Sequence, residues 1–220
     1  MDVLHISDLT KLQQSHKNDI LRLVKRNSAE LMNRPVKTTH AMFGITSAWV
    51  LADIDLQLTP YMSKQIGSEV ILVTNENSKA IAFLTFTRST DSSTACGLNY
   101  VCVDSKHRKQ GLMRLMLDHL KSSYTDIALA CFPSLIGMYE KHGFVMCEAS
   151  EAQVAMRIGK EHTMNKFSQQ LLMDHEAVKH ASQLLISKYG PKKSISINEL
   201  FDAETIQISH NIERFVQARK

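Results

Sequence analysis

At 220 residues the chain can bury one substantial core, or one core plus an appendage. Its hydrophobic content of 44 % is that of an ordinary globular protein, and no run approaches the roughly 18 apolar residues that a membrane span requires. A net charge of +4 permits an acidic partner, but without the concentrated basic character of most nucleic-acid binders. The first residues, Met1 to Leu9, lack a basic region followed by an apolar stretch, so no secretory signal is read and a cytoplasmic protein is expected. Cys96, Cys102, Cys131 and Cys147 lie in or beside apolar runs and form no C-x-x-C pair, which favours buried reduced thiols over zinc ligands. Ten histidines are scattered without metal-ligand spacing, so no metal site is expected.

In chain order, Val3 to Ile6 is read as a strand, Ser7 to Thr10 as a turn, and the following residues through Ile20, Leu21, Leu23 and Val24 as a helix with apolar spacings of three and four. Residues 33–65 give no clear pattern beyond the break at Asn33-Arg-Pro35 and the punctuation at Pro60. Glu69–Thr74 and Ala80–Thr87 are predicted strands joined by the polar turn Asn75-Glu-Asn-Ser-Lys79. Ala95–Val103 is the next strand, and a basic loop then leads into an amphipathic helix reaching residue 122. A strand at Asp126–Cys131, a helix over Ser134–His142 and strands at Phe144–Cys147 and Gln153–Ile158 complete this part. The last 60 residues change character. Met164, Phe167, Leu171, Val178, Ala181 and Leu185 predict one long amphipathic helix, with Asp174 at the position where the stripe fails. Gly190-Pro191 ends it, and Ser196 with Glu199 reads as a capping box for a second helix carrying Leu200, Phe201, Ile208, Ile212, Phe215 and Val216. Simple packing on the preceding domain is the favoured role for this pair. A homodimer surface and a lid over a site on that domain are the alternatives.

Two segments point to chemistry. In the first, Arg108, Lys109 and Gln110 run into Gly111 where a helix should begin. A helix start offers unpaired N–H groups and the positive end of the dipole, Gly111 allows close approach to the main chain, and the basic residues add charge. A diphosphate suits such a turn, although an ordinary solvated loop would read the same. In the second, Pro133 to Phe144 ends in Tyr139-Glu-Lys-His-Gly-Phe144. Together, in this order and some thirty residues apart, the segments resemble the GNAT superfamily of acyl-CoA-dependent N-acetyltransferases. Arg108-Lys-Gln-Gly111-Leu-Met113 corresponds to that family's Arg/Gln-x-x-Gly-x-Gly/Ala loop, and Tyr139 to Phe144 to its Tyr-Glu-Lys-x-Gly-Phe segment. The resemblance covers roughly residues 65–158.

The resemblance implies an α/β (α+β) fold with a mixed, largely antiparallel sheet flanked by helices. The domain would span 1–158, and 159–220 would form a C-terminal helical extension. It implies transfer of an acetyl group from acetyl-CoA directly to an amine-bearing acceptor, a small molecule or a protein. Coenzyme A would lie along the strand ending at Val103, its amides pairing with the backbone of Val101, Cys102 and Val103. Its diphosphate would meet Arg108, Lys109, Gln110, Gly111, Leu112, Met113 and Arg114. Met113 departs from the family's small residue, so its side chain must point away from the diphosphate. Tyr139 is the expected general acid for the departing sulfur; a packing role is its plain alternative. No carboxylate occupies the family's strand position for a general base, since Ala95 to Val101 contains none. Asn99 or Tyr100 with a water, Glu69 and His40 are weaker choices, and no base is assigned. Cys131 lies near the expected thioester, but no adjacent histidine would activate it. Two further readings stand beside the enzyme: a catalytically silent acyl-CoA-binding or partner-binding module, favoured by the missing carboxylate, and an acetyltransferase acting on a nucleic acid, disfavoured by the mild charge.

Overall fold

A computed structural model describes residues 1–219. Seven strands form one sheet in the order β1-β2-β3-β4-β5-β7-β6. They are β1 (Asp2–Ile6), β2 (Ser68–Thr74), β3 (Ala80–Arg88), β4 (Ala95–Val103), β5 (Asp126–Cys131), β6 (Val145–Ser150) and β7 (Gln153–Ile158). Every neighbouring pair is antiparallel except β4 with β5. That parallel pair needs a crossover, supplied by α4 (Leu112–Ser123). The mixed, largely antiparallel sheet flanked by helices is the architecture that the sequence implied.

The sheet separates two apolar cores. On one face α1 (Gln14–Leu31) and α2 (Phe43–Gln57) cover β2 and β3, with Ile20, Leu23, Val24, Ile54 and Phe83 fully buried. On the other, α4 and α5 (Ile136–Glu140) lay Leu112, Met116, Leu117 and Tyr139 against Phe86, Ile127 and Leu129. Covered on both sides, β2 is buried along its whole length and β3 along all but its last residue, so both read as continuous apolar runs rather than as alternation.

The region 33–65, which gave no pattern, holds α2 and α3 (Pro60–Ile66). α2 lies between α1 and a C-terminal helix, so it carries apolar residues all round, and a one-sided stripe never develops.

The C-terminal segment differs from the expectation in two ways. The stripe from Met164 to Leu185 is not one helix. Met164 instead bridges to Ser89 as extended chain and packs over Gly97, and α6 (Gln169–Met173) follows. The chain then breaks at Asp174 and restarts as α7 (Glu176–Tyr189). His175 fixes the break: its Nδ1 accepts from the Ala177 N–H at 3.2 Å and its Nε2 lies 3.2 Å from Asp55 on α2. The failed stripe position was the helix boundary. The second helix, α8 (Pro191–Gln217), starts five residues before the supposed capping box. Pro191 takes its first turn and Gly190 the cap position, so Ser196 is an interior residue whose hydroxyl turns to the Lys192 carbonyl. Leu200, placed on the apolar face by its spacing, is 66 % exposed.

With 27 residues α8 is about 40 Å long. Phe201 joins the α1–α2 core, whereas Ile212 and Val216 join the core on the opposite face. The helix thus straps both faces together. Buried Arg34 fastens it: Nη1 donates to the Phe201 carbonyl at 2.7 Å and to the Thr205 hydroxyl, Nη2 pairs with Glu204 at 3.0 Å, and the guanidinium stacks 3.7 Å from the Phe201 ring centroid. Replacing Arg34 with alanine should cost about 2–3 kcal/mol, because carbonyl, carboxylate and ring lose their partner together while Glu204 stays half in water. Lysine should recover only part of that, since it has neither fork nor planar stack. Thermal denaturation of both variants checks this; equal melting of the Arg34→Ala variant and the parent would mean that the strap is held elsewhere.

Candidate active site

The parallel pair is the irregular part of the sheet. β4 and β5 are in register only at Ala95, Cys96 and Gly97 against Asp126, Ile127 and Ala128. Beyond that the strands part, and from Leu98 onward the β5-facing edge of β4 has no strand partner among the described residues. The cause lies in β4 itself. Thr85 pairs with Tyr100 and Phe86 with Leu98, so Asn99 is an extra residue, and such a bulge bends its strand away from the old direction. Backbone groups alternate along a strand, so Cys102 turns its own to β3 while Val101 and Val103 turn theirs to the open wedge, where the Val103 carbonyl accepts from Arg108 Nε at 3.3 Å. Cys102 is buried and its thiol is pushed up to about 12 by that burial, so it is no nucleophile.

The loop after β4 comes next. Asp104 accepts from the Lys106 N–H at 3.0 Å and caps a 3-10 turn over Ser105–His107. The Arg108 guanidinium is drawn to α1, with Nη2 2.8 Å from both Glu30 Oε2 and Asn27 Oδ1. Its charge is thus largely answered, and it pins the loop. Lys109 (φ 63°) and Gly111 (φ 77°) are both left-handed, which turns the chain sharply into α4. The N–H groups of Leu112, Met113 and Arg114 find no backbone or side-chain acceptor among the described residues. A Cβ built on Gly111 would meet nothing within 4 Å, so the ground in front of these donors is open. Leu112 and Met113 turn their side chains into the core, and Arg114 lies at the surface beside Asp118. Gln110 is exposed.

Across the wedge, β5 ends at Cys131 and leads through a 3-10 turn into α5, which carries Tyr139. The ring of Tyr139 is buried edge-on against Phe144, with centroids 5.6 Å apart. Its hydroxyl makes no hydrogen bond among the described residues. Burial, and secondarily the neighbouring Cys131, hold the phenol above its ordinary value, so it keeps its proton at neutral pH. Cys131 points its thiol at the Met156 sulfur, 3.5 Å away, and burial pushes it up to about 11. A thiol so buried and so protonated does not fit a covalent acyl carrier.

A split parallel pair, a left-handed basic loop opening a helix, and a free phenol opposite define the arrangement, and residues 67–146 match the family model described as an acetyltransferase (GNAT) domain. Over residues 67–146 the chain is thus similar to the GNAT acetyltransferase domain. An acyl-CoA N-acyltransferase from Pseudomonas aeruginosa is similar in fold over 72 % of this chain and 100 % of its own, at 15 % identity and a TM-score of 0.50. The PaiA N-acetyltransferase of Thermoplasma acidophilum, solved in complex with coenzyme A, is similar over 73 % and 100 %, at 9 % identity and a TM-score of 0.50. At such identities the likeness is one of fold. No curated protein sequence matches the chain.

Beside the wedge lie further polar groups, of which Asn99 and Tyr100 were weaker choices for a base in the sequence and Asp53 and Gln57 were not marked. Asn99, the bulge residue, donates from Nδ2 to Gln57 Oε1 at 3.0 Å and to the Thr87 hydroxyl at 2.8 Å. One turn earlier on α2, Asp53 Oδ2 accepts from the Tyr100 hydroxyl at 2.7 Å. Asp53, Gln57, Asn99 and Tyr100 line a cavity of about 310 Å³ that reaches Ala130 on β5. Asp53 and Tyr100 also line a larger one, about 930 Å³, roofed by α6, α7 and α8. The other two weaker choices for a base, Glu69 and His40, lie elsewhere. Glu69 is buried between Arg88 at 3.0 Å and His5 at 2.6 Å, in a separate cavity of about 620 Å³. His40 is spent at the start of α2, accepting from the Met42 N–H and lying against Phe201. No signal in the sequence singled out Asp53, because α2 itself gave none.

Burial raises the Asp53 carboxyl above its ordinary value of 3.8, only partly offset by the Tyr100 hydroxyl and the Gln57 amide. A carboxyl raised by folding binds protons more tightly folded than unfolded. Stability therefore falls as pH rises through the window above about 4, and the penalty is complete once the folded group is ionised. Asp53→Asn removes that penalty while its amide oxygen can still accept from Tyr100. The variant should melt higher than the parent at pH 7, and the gain should vanish toward pH 3. Calorimetric melting across that range checks it; a variant less stable at pH 7 would show that the ionised form is welcome in the fold.

Proposed function

We propose that this protein transfers an acetyl group from acetyl-CoA directly to an amine. The observation that carries the reading is the wedge between β4 and β5, with open backbone donors at one end and a protonated, unengaged phenol on its β5 side. Acetyl-CoA would lie along β4 with its amides on the backbone of Val101 and Val103. Its diphosphate would sit at the N–H groups of Leu112, Met113 and Arg114 before Gly111, a helix start that favours negative charge. Lys109 and Gln110 border this ground. Arg108 contributes by tying the loop to α1 rather than by reaching the anion itself.

Transfer needs two things from the chain. The thioester carbon must be reachable from one face of the sheet, where the Asn99–Tyr100 cavity opens, and the departing sulfur must be met from the other. As the amine nitrogen attacks, the carbon–sulfur bond breaks and the electron pair stays on sulfur. Tyr139 gives that sulfur its proton. A silent acyl-CoA-binding module would not require a buried phenol with its hydroxyl left free, and this favours the enzyme. A nucleic-acid acceptor has no specific observation in its support.

Acetyl-CoA consumption measured over a panel of primary amines tests the reading, and no transfer to any of them would count against it. Tyr139→Phe should lower kcat by about 10²-fold or more with coenzyme A affinity nearly unchanged, since a general acid typically contributes 10²–10⁴-fold. Unchanged kcat would leave Tyr139 a packing residue. Gly111→Asp should fold, as the space in front of it is open and aspartate tolerates a left-handed backbone better than most residues. It should nevertheless lose most of its affinity for coenzyme A in calorimetry. Undiminished affinity would remove the diphosphate from this loop.

A further inference from the structure

Three carboxylates withdrawn from solvent beside the sheet are each answered by a cation. Asp19 meets Arg22 at 2.7 Å, Glu69 meets Arg88 at 3.0 Å, and Asp55 meets Lys17 at 2.8 Å. Asp53 is withdrawn as well, but its hydrogen-bond partner, the Tyr100 hydroxyl, is neutral. A carboxylate taken out of water without a counter-charge is costly, and the cost is met when a cation arrives. Asp53 also lies where two cavities meet, since Asn33, Asp53, Tyr100 and Leu172 are walls of both. The smaller cavity leads to the bulge and to Ala130 on β5, hence to the wedge. The larger extends beneath α6, α7 and α8 between apolar walls that include Met42, Ile45, Trp49, Val50 and Phe201.

We propose that Asp53 binds the ammonium group of the acceptor and takes its proton, and that the acceptor is a primary amine on a bulky apolar body that fills the cavity beneath the C-terminal helices. The other charged groups facing these cavities leave the role open to Asp53. Arg34 is paired with Glu204 and the Phe201 carbonyl, Lys179 lies 3.7 Å from Asp174, and Asp202 and Lys166 are exposed to solvent. At about 930 Å³ the larger cavity is at the upper end for small-molecule sites, far more than a short alkylamine needs. The raised carboxyl suits a proton acceptor for an amine, because a base is most effective when its own value moves toward the working pH. In the reaction, the ammonium passes one proton to Asp53 and becomes nucleophilic. The second nitrogen proton, released as the amide forms, replaces the one that Tyr139 gives to sulfur. The proton on Asp53 then passes to solvent. One thioester and one ammonium thus yield one amide, one thiol and one proton.

The proton step rests on the transferase reading, but the binding site does not, and the chain carries its own reporter. Trp49 is the single tryptophan and lines the larger cavity. Titrating the full chain with 3-phenylpropylamine should shift Trp49 emission saturably, and 3-phenylpropanol, its neutral counterpart, should bind about tenfold or more weakly. Asp53→Asn should erase that preference, whereas Asp202→Asn should keep it. Emission indifferent to the amine, equal affinity for the two ligands, or a preference that survives in Asp53→Asn would overturn the site. With acetyl-CoA present, Asp53→Asn should transfer at least tenfold more slowly than the parent at pH 7 and recover toward it at pH 10, where the amine sheds its own proton. Equal rates at pH 7 would remove the proton role. A binding preference without any transfer by the parent would uphold the ammonium site and defeat the transferase reading.

Discussion

The parting of β4 from β5 is the constraint on which the rest of the structure depends. A parallel pair in the middle of a sheet should run its full length, because every unpaired backbone group there must find another partner. Here pairing stops after three residues, and the stop is built into β4 by the extra residue Asn99. The bulge has two effects at once. It leaves a strand edge free to receive an extended, amide-bearing ligand by strand-like hydrogen bonding, and it turns a polar side chain toward α2, where Asn99 is received by Gln57. The helices on each side keep the sheet from closing the gap, because α4 and α5 hold β5 from one face while α1 and α2 hold β3 and β4 from the other.

The strap of α8 makes sense against that gap. A sheet split in the middle is weak along the split, and the short Ala95–Gly97 pairing is what joins its halves directly. α8 contributes Phe201 to the core over β2 and β3 and Ile212 and Val216 to the core over β5 to β7, so its burial couples the two halves. The same helix roofs the larger cavity. Mechanical support and enclosure of the site come from one element, which is why residues far beyond the matched segment 67–146 bear on the chemistry proposed for it.

Legibility in the sequence followed locality. The loop before α4 could be read because a glycine at a helix start and its basic neighbours act within a few residues, and the left-handed Gly111 is what such a turn demands. Met113 was a departure from the family pattern, and its side chain is absorbed by the core while its N–H stays available. Strand β5 was legible to the residue because its alternation is clean, with Ile127, Leu129 and Cys131 inward. α2 was illegible for the opposite reason: helices on both sides erase amphipathic contrast. α6 and α7 were merged into one helix because a repeating stripe continues across a break in the backbone, and Asp174 was the only sign of it. The position of a buried cap such as His175, held by Asp55 some 120 residues away in the chain, cannot be seen in a local window.

Asp53 shows why a site can be missed even when a fold is found. An aspartate in an apolar run has no distinctive pattern, and its character comes from what surrounds it after folding. A carboxylate on β4 would be aimed at the wedge by the strand itself, and the stretch Ala95 to Val101 has none. The structure places one on α2 instead, held to β4 by the Tyr100 hydroxyl one residue beyond the bulge. Tyr100 is on the α1–α2 face of β4, whereas Tyr139 and Cys131 belong to the opposite core. The carboxyl of Asp53 and the phenol of Tyr139 thus lie on opposite faces of the sheet. Burial shifts both groups upward, yet with opposite consequences: it makes the carboxyl a better proton acceptor, and it takes the phenol further from ionisation, so that it stays a hydrogen-bond donor at neutral pH. One physical cause, removal from water on either side of a split sheet, thus gives one face a proton acceptor and the other a proton donor.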